Sequence, residues 1–520
     1  MRVQQCSFFL LLLLAVTIAH AQPLTGKQID SLVLRTMKAF EVPGIAVAII
    51  QDGKPIHLKG YGVRSVTSGE LVDEHTLFGI ASNTKAFTTA ALGILADEGK
   101  LKWDDKVTTY IPEFKLHNPY VTDEFTIRDL LTHRSGLGLG AGDLMFYPDS
   151  ADFTIKDVIY NLRFLKPVSS FRSKYDYDNT LYIVAGEVIT RVGGKSWDDF
   201  VEERILQPLG MQRSAASFDR LKDKLSVAAP HAVVDGKVQV VSRHSSSYSR
   251  ASGSMYSSIA DLTKWVQLHL NGGKYGTAPG RQLFSKEVHQ ERWTPQTILP
   301  VRSPGDYNTH FAAYGLGFGL SDVHGLKQIS HTGGTVGMVT QVTIIPELNL
   351  AIIVLTNQEE GGAFRAIADQ VKDAYFNIKG TDRVVQYAAG RKRQKEQATQ
   401  VTDSIWKQIT ATQKLTGDKV DFATYIGTYR DAWFGDVVIS MHHGKRWFAS
   451  KRSPKLAGEM FAYKGNSFVV KWQNRSMDAD AFVNFTLDTN GKAAGLTMSA
   501  ISPLTDFSYD FHDLDFTRVK

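Results

Sequence analysis

Cysteine is almost absent from this sequence, since Cys6 is the only one among 520 residues. It precedes an apolar run near the N-terminus and would be lost if that segment were removed. The chain beyond it has no thiol for a disulfide, a cysteine-ligated zinc ion or a cysteine nucleophile. Any covalent catalysis must therefore use another kind of side chain.

Long hydrophobic runs are also scarce, and the one that exists predicts a signal peptide. Residues 8–18 are apolar except for Thr17, Arg2 precedes them, and an A-x-A cleavage signal follows at residues 19–21. The run is shorter than the roughly 20 residues that a transmembrane helix needs, and no later segment is apolar enough to span. We therefore expect residues 1–21 to be removed and the protein to be exported, periplasmic or secreted, without a transmembrane segment.

Neither sign of charge dominates the chain. The formal net charge is +6, and the dense basic run at residues 391–395 lies in a polar stretch. Such a run favours a solvated helix face or linker over a nucleic-acid site. The histidines show no metal-ligand spacing, since His289 in HQERW lacks the second histidine of H-E-x-x-H. The sequence indicates no metal or other cofactor and no nucleic-acid partner, and it leaves the oligomeric state open.

Hydrophobic patterning predicts an α+β fold for residues 22–379. Strand-like runs occupy both ends of this segment and helical runs its middle. The run 44–63 predicts a hairpin with its turn at residues 52–53, and two further strands are predicted around residues 346–347. This order predicts an antiparallel sheet built from both ends of the segment, joined to a helical region.

The C-terminal part is predicted to be a linker followed by a small β-domain. Residues 380–418 are polar and charged and indicate a linker that contains a helix. In residues 419–520, short alternating runs are separated by turns at 443–444, 464–466 and 490–491. This pattern predicts a small antiparallel barrel or sandwich.

The stretch ASNTKAF contains an S-x-x-K pair, Ser82 and Lys85, in a predicted helix over residues 82–98. The two side chains share a helix face, and the neighbours of Lys85 are apolar. That setting favours a neutral amine able to accept the serine proton. Alternatively, Ser82 caps the helix and Lys85 extends to solvent. A second pair, Ser404 and Lys407, fits a solvated helix start, so the spacing alone leaves both interpretations open.

Two further motifs favour the catalytic interpretation. A Y-x-N motif lies at residues 177–179; a tyrosine near a lysine and a serine can relay a proton, and an asparagine can donate to a substrate carbonyl. An H-T-G-G motif at residues 331–334 enters a predicted strand. Its glycines would let a substrate approach the strand edge and expose backbone N–H groups as oxyanion donors. The alternatives are a helix-capping turn and an ordinary glycine-rich turn.

The order S-x-x-K, Y-x-N and H-T-G in place of K-T-G resembles the serine β-lactamase and penicillin-binding-protein superfamily. Within it, the chain is similar to the class C-like branch of esterases, D-amino-acid peptidases and β-lactamase-related hydrolases. The likeness covers about residues 41–357 and includes stretches such as IRDLLTHRSGLG and YGLGFGL. The tail, with YIGTYRD near its start, resembles the small lipocalin-like domain appended to such hydrolases.

This resemblance implies a catalytic role for three side chains. Ser82 would be the nucleophile and Lys85 its base partner. Tyr177 would relay a proton between the serine and the leaving group in both half-reactions. Asn179 would orient Lys85 and the substrate, whereas His133 in LLTHRSGL would be structural.

The resemblance also assigns the strand motif to substrate binding. His331 would occupy the place of the K-T-G lysine, with Thr332 and Gly333 beside it. The backbone N–H groups of Ser82 and Gly334 would form the oxyanion hole. The histidine is a departure from the family pattern, because it is mostly neutral near pH 7 whereas a lysine is a permanent cation suited to a carboxylate.

We therefore expect an exported serine hydrolase that forms an acyl-enzyme on Ser82 and needs no cofactor. Its partner would be a small-molecule or short-peptide substrate, an ester or an amide, as for an esterase or a D-amino-acid peptidase. The alternatives are an acyltransferase, a β-lactamase or D,D-carboxypeptidase with the same acyl-enzyme, and a non-catalytic module that binds peptidoglycan or a peptide.

Overall fold

The computed structural model describes residues 23–276, 280–416 and 421–519. The predicted signal peptide, with Cys6, lies outside these residues, so export stays a prediction. Within the described residues, no helix is both long enough and apolar enough to cross a membrane.

A large antiparallel sheet forms the centre of the N-terminal part. Over the described residues it has eight strands: β1 (Gly44–Gln51), β2 (Lys54–Gly62), β3 (Thr297–Leu299), β4 (Ala312–Tyr314), β5 (Gly319–Val323), β6 (Leu326–Thr335), β7 (Met338–Ile345) and β8 (Leu350–Thr356). Their order is β2-β1-β8-β7-β6-β5-β4-β3. Because β1 pairs with β8, with Ile45 opposite Thr356, strands from both ends of the segment meet inside one sheet. The predicted α+β fold is confirmed.

Helices cover both faces of this sheet. The longer ones are α1 (Gly26–Phe40), α2 (Thr84–Asp97), α3 (Asn179–Gly193), α4 (Ile259–Leu270) and α5 (Gly361–Tyr375). α1 and α5 share one buried cluster with Val47 of β1, and α2, α3 and α4 share another with Ala48. Because both faces are covered, β1 and β8 are continuous apolar runs.

Shorter elements fill the helical region. They include the helices Val107–Tyr110, Pro119–Glu124, Ile127–Leu130, Ile155–Asn161, Trp197–Val201, Arg250–Gly253 and Lys286–Arg292. Among the described residues, three short strand pairs join Phe78–Gly79 to Tyr256–Ser257, His231–Val234 to Lys237–Val240, and Lys274–Tyr275 to Arg281–Gln282.

The C-terminal part folds as a closed barrel. Its eight described strands are β9 (Gly427–Asp431), β10 (Gly435–His442), β11 (Lys445–Ser450), β12 (Ala457–Lys464), β13 (Ser467–Trp472), β14 (Ala481–Leu487), β15 (Ala493–Ala500) and β16 (Asp515–Arg518). Consecutive strands pair, and β9 pairs with β16 to close the barrel. The predicted turns at 443–444 and 490–491 lie between neighbouring strands, and the one at 464–466 begins at the last residue of β12. Of the two predicted forms, barrel and sandwich, the barrel is confirmed.

One long helix, α6 (Arg383–Thr416), contacts both parts. Near its start, Arg383 Nε donates to Asp373 Oδ2 of α5 at 2.7 Å. Towards its end, Ile409 is buried in a cluster with Val469 of the barrel. The helix thus packs against both parts instead of crossing solvent between them.

The second S-x-x-K pair lies inside this helix. Ser404 and Lys407 were expected at a helix start, but α6 extends well beyond them on both sides. Both residues are exposed. This pair therefore lacks the burial that surrounds Lys85.

Candidate active site

Ser82 lies in a 3₁₀ turn, Ala81–Asn83, that leads into α2. The predicted helix start at Ser82 is therefore two residues early, since α2 begins at Thr84. Ala81 has a φ of 45°, a left-handed conformation that costs energy in a non-glycine residue. Asn83 Nδ2 donates to Thr340 Oγ1 of β7 at 2.9 Å and fastens the turn to the sheet.

Lys85 points inward from the first turn of α2. Its side chain is completely buried. Its Nζ lies 3.0 Å from Ser82 Oγ and donates to Asn179 Oδ1 at 2.7 Å and to Ser252 O at 2.8 Å. This geometry contradicts both parts of the alternative interpretation: Lys85 does not extend to solvent, and the cap position of α2 is occupied by Asn83 instead of Ser82.

The surroundings of Lys85 favour its neutral form. Burial removes the hydration of the ammonium and lowers the pKa of Lys85 to about 7, although the charge of Asp143 acts in the opposite direction. A neutral amine has two N–H groups and one lone pair. The carbonyl oxygens of Asn179 and Ser252 can only accept, so they take the two N–H groups and the lone pair is directed at the Ser82 hydroxyl.

Tyr177 lies beside Lys85 on the segment before α3. Its ring centroid is 4.8 Å from Lys85 Nζ. Its hydroxyl is buried and has no hydrogen-bond partner of normal geometry among the described residues. Burial raises the pKa of Tyr177 well above its ordinary value, while the nearby Ser82 hydroxyl acts in the opposite direction. The phenol therefore keeps its proton, and that proton is available to a group entering the site.

His133 supports Tyr177 from its other side. The two ring centroids are 4.2 Å apart, and His133 Nδ1 accepts the N–H of Asp178 at 3.0 Å. The side chain of His133 is completely buried. These contacts are those of a packing residue, as the sequence interpretation expected.

Asn179 connects Lys85 to a carboxylate that no motif indicated. While its Oδ1 accepts from Lys85, its Nδ2 donates to Asp143 Oδ2 at 2.8 Å. Asp143 lies in the 3₁₀ turn Asp143–Met145 and is completely buried. Its other partner is Ser508 of the barrel, 365 positions away. Contacts at such separations leave no local pattern, so sequence reasoning could not find this residue.

His331 is on β6 and lines the same cleft as Ser82. Its Nε2 is 2.9 Å from the hydroxyl of Tyr314, and its Nδ1 donates to Thr332 O at 2.6 Å. Burial, and then the charge of Lys85, lower the pKa of His331 to about 4. The imidazole is therefore neutral near pH 7. Tyr314 lies in the stretch YGLGFGL, which was part of the family likeness, but no motif predicted a role for Tyr314 itself.

The remaining strand-motif residues divide between the cleft and the core. β5 pairs with β6 only as far as Ser330, so the edge of β6 beyond it has no strand partner on that side among the described residues. Thr332 and Gly334 line the cleft there. Gly333 faces the other way, since a Cβ at this position would lie 2.2 Å from Ile80 O. Because Gly333 has no side chain, β6 can pack against the turn that carries Ser82, and Gly333 does not line the cleft.

The cleft in front of Ser82 is bounded by both parts of the chain. It has a volume of about 630 Å³. The N-terminal part contributes Ser82, Tyr177, Asn179, His331, Thr332 and Gly334, and the barrel part contributes Asp478, Leu504, Asp506, Phe507, Ser508 and Tyr509. The Phe507 ring meets that of Tyr177 edge-on, with centroids 5.8 Å apart. Apart from Gly333, the structure thus brings the predicted site residues to one place, and the barrel adds a wall that the sequence did not predict.

Family models match both parts of the chain. The model described as Beta-lactamase matches residues 29–376, and one described as a domain of unknown function, DUF3471, matches residues 413–518. The first match alone covers more than half of the sequence and includes the cleft residues of the N-terminal part.

Individual proteins give the same picture. An unguisins hydrolase of Aspergillus campestris is 28% identical over 338 residues, which cover 62% of this chain and 60% of that protein. Protein flp of Staphylococcus aureus is 27% identical over 334 residues, covering 64% and 63%. The chain thus spans less than two thirds of these curated relatives. The octameric penicillin-binding protein homologue from Pyrococcus abyssi has a TM-score of 0.60 at 20% identity, over 95% of this chain and 99% of that one, which is a likeness of fold.

Proposed function

The chain belongs to the beta-lactamase family, and on that premise we propose that it is a serine hydrolase whose acyl-enzyme forms on Ser82. The observation that supports this most is the environment of Lys85. A completely buried amine with a pKa of about 7 and two carbonyl acceptors directs its lone pair at a serine hydroxyl 3.0 Å away. Such an arrangement serves a nucleophile activated by an adjacent base.

The proposed reaction has two steps. The Ser82 oxygen attacks the substrate carbonyl carbon as its proton passes to Lys85 Nζ. The tetrahedral oxyanion faces the N–H groups of Ser82 and Gly334. When the carbon–oxygen or carbon–nitrogen bond breaks, the leaving group takes a proton through the Tyr177 hydroxyl. Water then attacks the acyl carbon and passes a proton to the Tyr177 hydroxyl and Lys85. The bond between the acyl carbon and Ser82 Oγ breaks, Ser82 Oγ takes a proton back from Lys85, and the acid product leaves.

The cleft favours an ester or amide without a carboxylate next to His331. The pKa of His331, lowered to about 4, keeps this imidazole neutral, so it cannot act as the cation that a K-T-G lysine would be. The lining cation Lys455 is paired with Asp149 at 2.6 Å, and Asp478 and Asp506 line the same wall. We therefore propose an esterase or a D-amino-acid peptidase or amidase activity in preference to a β-lactamase activity.

Intact-mass spectrometry after exposure to a panel of substrates tests this proposal. With a small ester or a D-amino-acid amide, we expect an acyl adduct that maps to Ser82 and disappears with turnover. With a β-lactam, we expect slower or no acylation. Acylation by the β-lactam alone would reverse the assignment of substrate class. No adduct with any panel member or with a fluorophosphonate would support the non-catalytic binding module instead.

Export belongs to the same proposal and rests on the apolar run and cleavage signal near the N-terminus. The mature protein isolated from its source cells should begin at Gln22. N-terminal sequencing checks this, and a retained Met1 would contradict it.

A further inference from the structure

The barrel holds the turn that carries Asp143. Ser508 Oγ donates to Asp143 Oδ2 at 2.9 Å. The carboxylate of Asp510, which is completely buried, accepts the N–H groups of Gly142 at 2.6 Å and Leu144 at 3.1 Å. The barrel therefore contacts the side chain of Asp143 and the backbone on both sides of it.

Asp143 in turn determines which way the Asn179 amide faces. Asp143 Oδ2 accepts from both Asn179 Nδ2 and Ser508 Oγ, so the Asn179 amide presents its NH₂ group to Asp143 and its carbonyl oxygen to Lys85. With the amide reversed, two oxygens would face each other at Asp143. The NH₂ group of Asn179 would then face Lys85 Nζ and compete with the Ser82 hydroxyl for the lone pair of the amine.

We propose that Asp143 and Ser508 are positioning residues for Lys85, acting through Asn179, so that the docked barrel completes the site of the catalytic base. This inference rests on the function proposed above. The contacts Ser508–Asp143, Asp143–Asn179 and Asn179–Lys85 form one continuous path of hydrogen bonds at 2.9, 2.8 and 2.7 Å. The barrel is thereby assigned a role in the chemistry besides bounding the cleft.

The charges around Lys85 agree with this path. The titratable side chains that face its Nζ from the packed elements are Tyr177, Tyr182, His133, His331 and Asp143. Burial raises the pKa of the two tyrosines and lowers that of the two histidines, so these four are neutral near pH 7. Burial raises the pKa of Asp143 to about 8, although the hydrogen bonds from Asn179 and Ser508 and the charge of Lys85 act in the opposite direction. These hydrogen bonds favour the charged form of Asp143, and that charge raises the pKa of Lys85.

The pH dependence of Ser82 labelling by a fluorophosphonate tests the inference on the full chain. In Ser508→Ala, the carboxylate loses a donor that favours its charge, so Lys85 should titrate at lower pH. We expect the acidic limb of the labelling rate to move to lower pH and the plateau rate to fall about 10-fold. Asp143→Asn, which keeps the size of the side chain, should move the limb in the same direction and lower the plateau at least as much. Ser508→Thr, which keeps the hydroxyl, should restore both.

Ser440→Ala is the matched control, because this partly exposed serine of β10 is not among the residues that line the cleft. It should leave both plateau and limb unchanged. If the acidic limb of the labelling-rate profile stayed at the same pH in both Ser508→Ala and Asp143→Asn, the inference would be overturned. This holds even if the plateau labelling rate fell because less protein was folded. Failure of the unchanged protein to be labelled at Ser82 is a different result and would contradict the proposed function instead.

Discussion

Replacing Ser82 by alanine should abolish turnover, with a loss in kcat on the order of 10⁴- to 10⁶-fold. The reason is that, among the residues the structure describes, Ser82 is the one whose hydroxyl hydrogen-bonds Lys85 Nζ: its Oγ lies 3.0 Å from this completely buried amine. Whatever rate remains would come from binding and from the oxyanion donors. The measurement is kcat on a chromogenic ester, together with the loss of the acyl adduct in intact-mass spectra.

The chain provides its own control for this prediction. Ser404 belongs to the second S-x-x-K pair and is exposed on α6. Ser404→Ala should therefore turn over the ester at the unchanged rate. Full activity in Ser82→Ala would contradict the proposed acyl-enzyme, and a loss in Ser404→Ala would show that the spacing alone is sufficient for chemistry.

Replacing Lys85 by methionine should lower kcat by about 10²- to 10⁴-fold, the range that a positioned general base contributes. Methionine is close to lysine in length and is apolar, so it suits a completely buried position and should keep the fold. The expected loss is therefore that of the base and not of folded protein. Thermal unfolding of the variant separates the two, and Lys407→Met on the exposed face of α6 is the matched control.

The pH dependence of kcat/KM tests the role of Lys85 independently of the substitution. Burial lowers the pKa of Lys85 to about 7. Below that pH the amine is protonated and has no lone pair for Ser82, so kcat/KM should fall as the pH drops through about 7. The limb should be absent from the residual activity of Lys85→Met. A profile without this limb in the unchanged protein would mean that another group accepts the serine proton.

Elements defined by neighbouring residues could be predicted well. The run 44–63 folds as β1 and β2 around Asp52 and Gly53, which have φ angles of 50° and 73°. Gly99, expected to stop α2, has a φ of 68° just beyond the helix. Turn residues and hydrophobic periodicity act over a few positions, so the chain alone indicates them.

Predictions for residues whose place depends on contacts with distant parts of the chain were less complete. α2 was expected from Ser82, but the preceding 3₁₀ turn is held by Thr340 of β7, a contact that no local pattern shows. Gly333 was assigned to substrate binding from its motif. Its place in the fold is set by the close approach of Ile80. In both cases a distant element decides what the residue does.

The sequence by itself determined the order of the motifs, the α+β fold with an appended β-domain, and Ser82, Lys85, Tyr177 and His331 as candidates. Only the tertiary structure decided between a capping serine and a serine beside a neutral amine. The pKa of Lys85 depends on how much water the fold removes from its side chain, and packing from several elements sets that. The same holds for Asp143 and Ser508, which are 365 positions apart and meet at 2.9 Å only because the barrel docks beside the cleft.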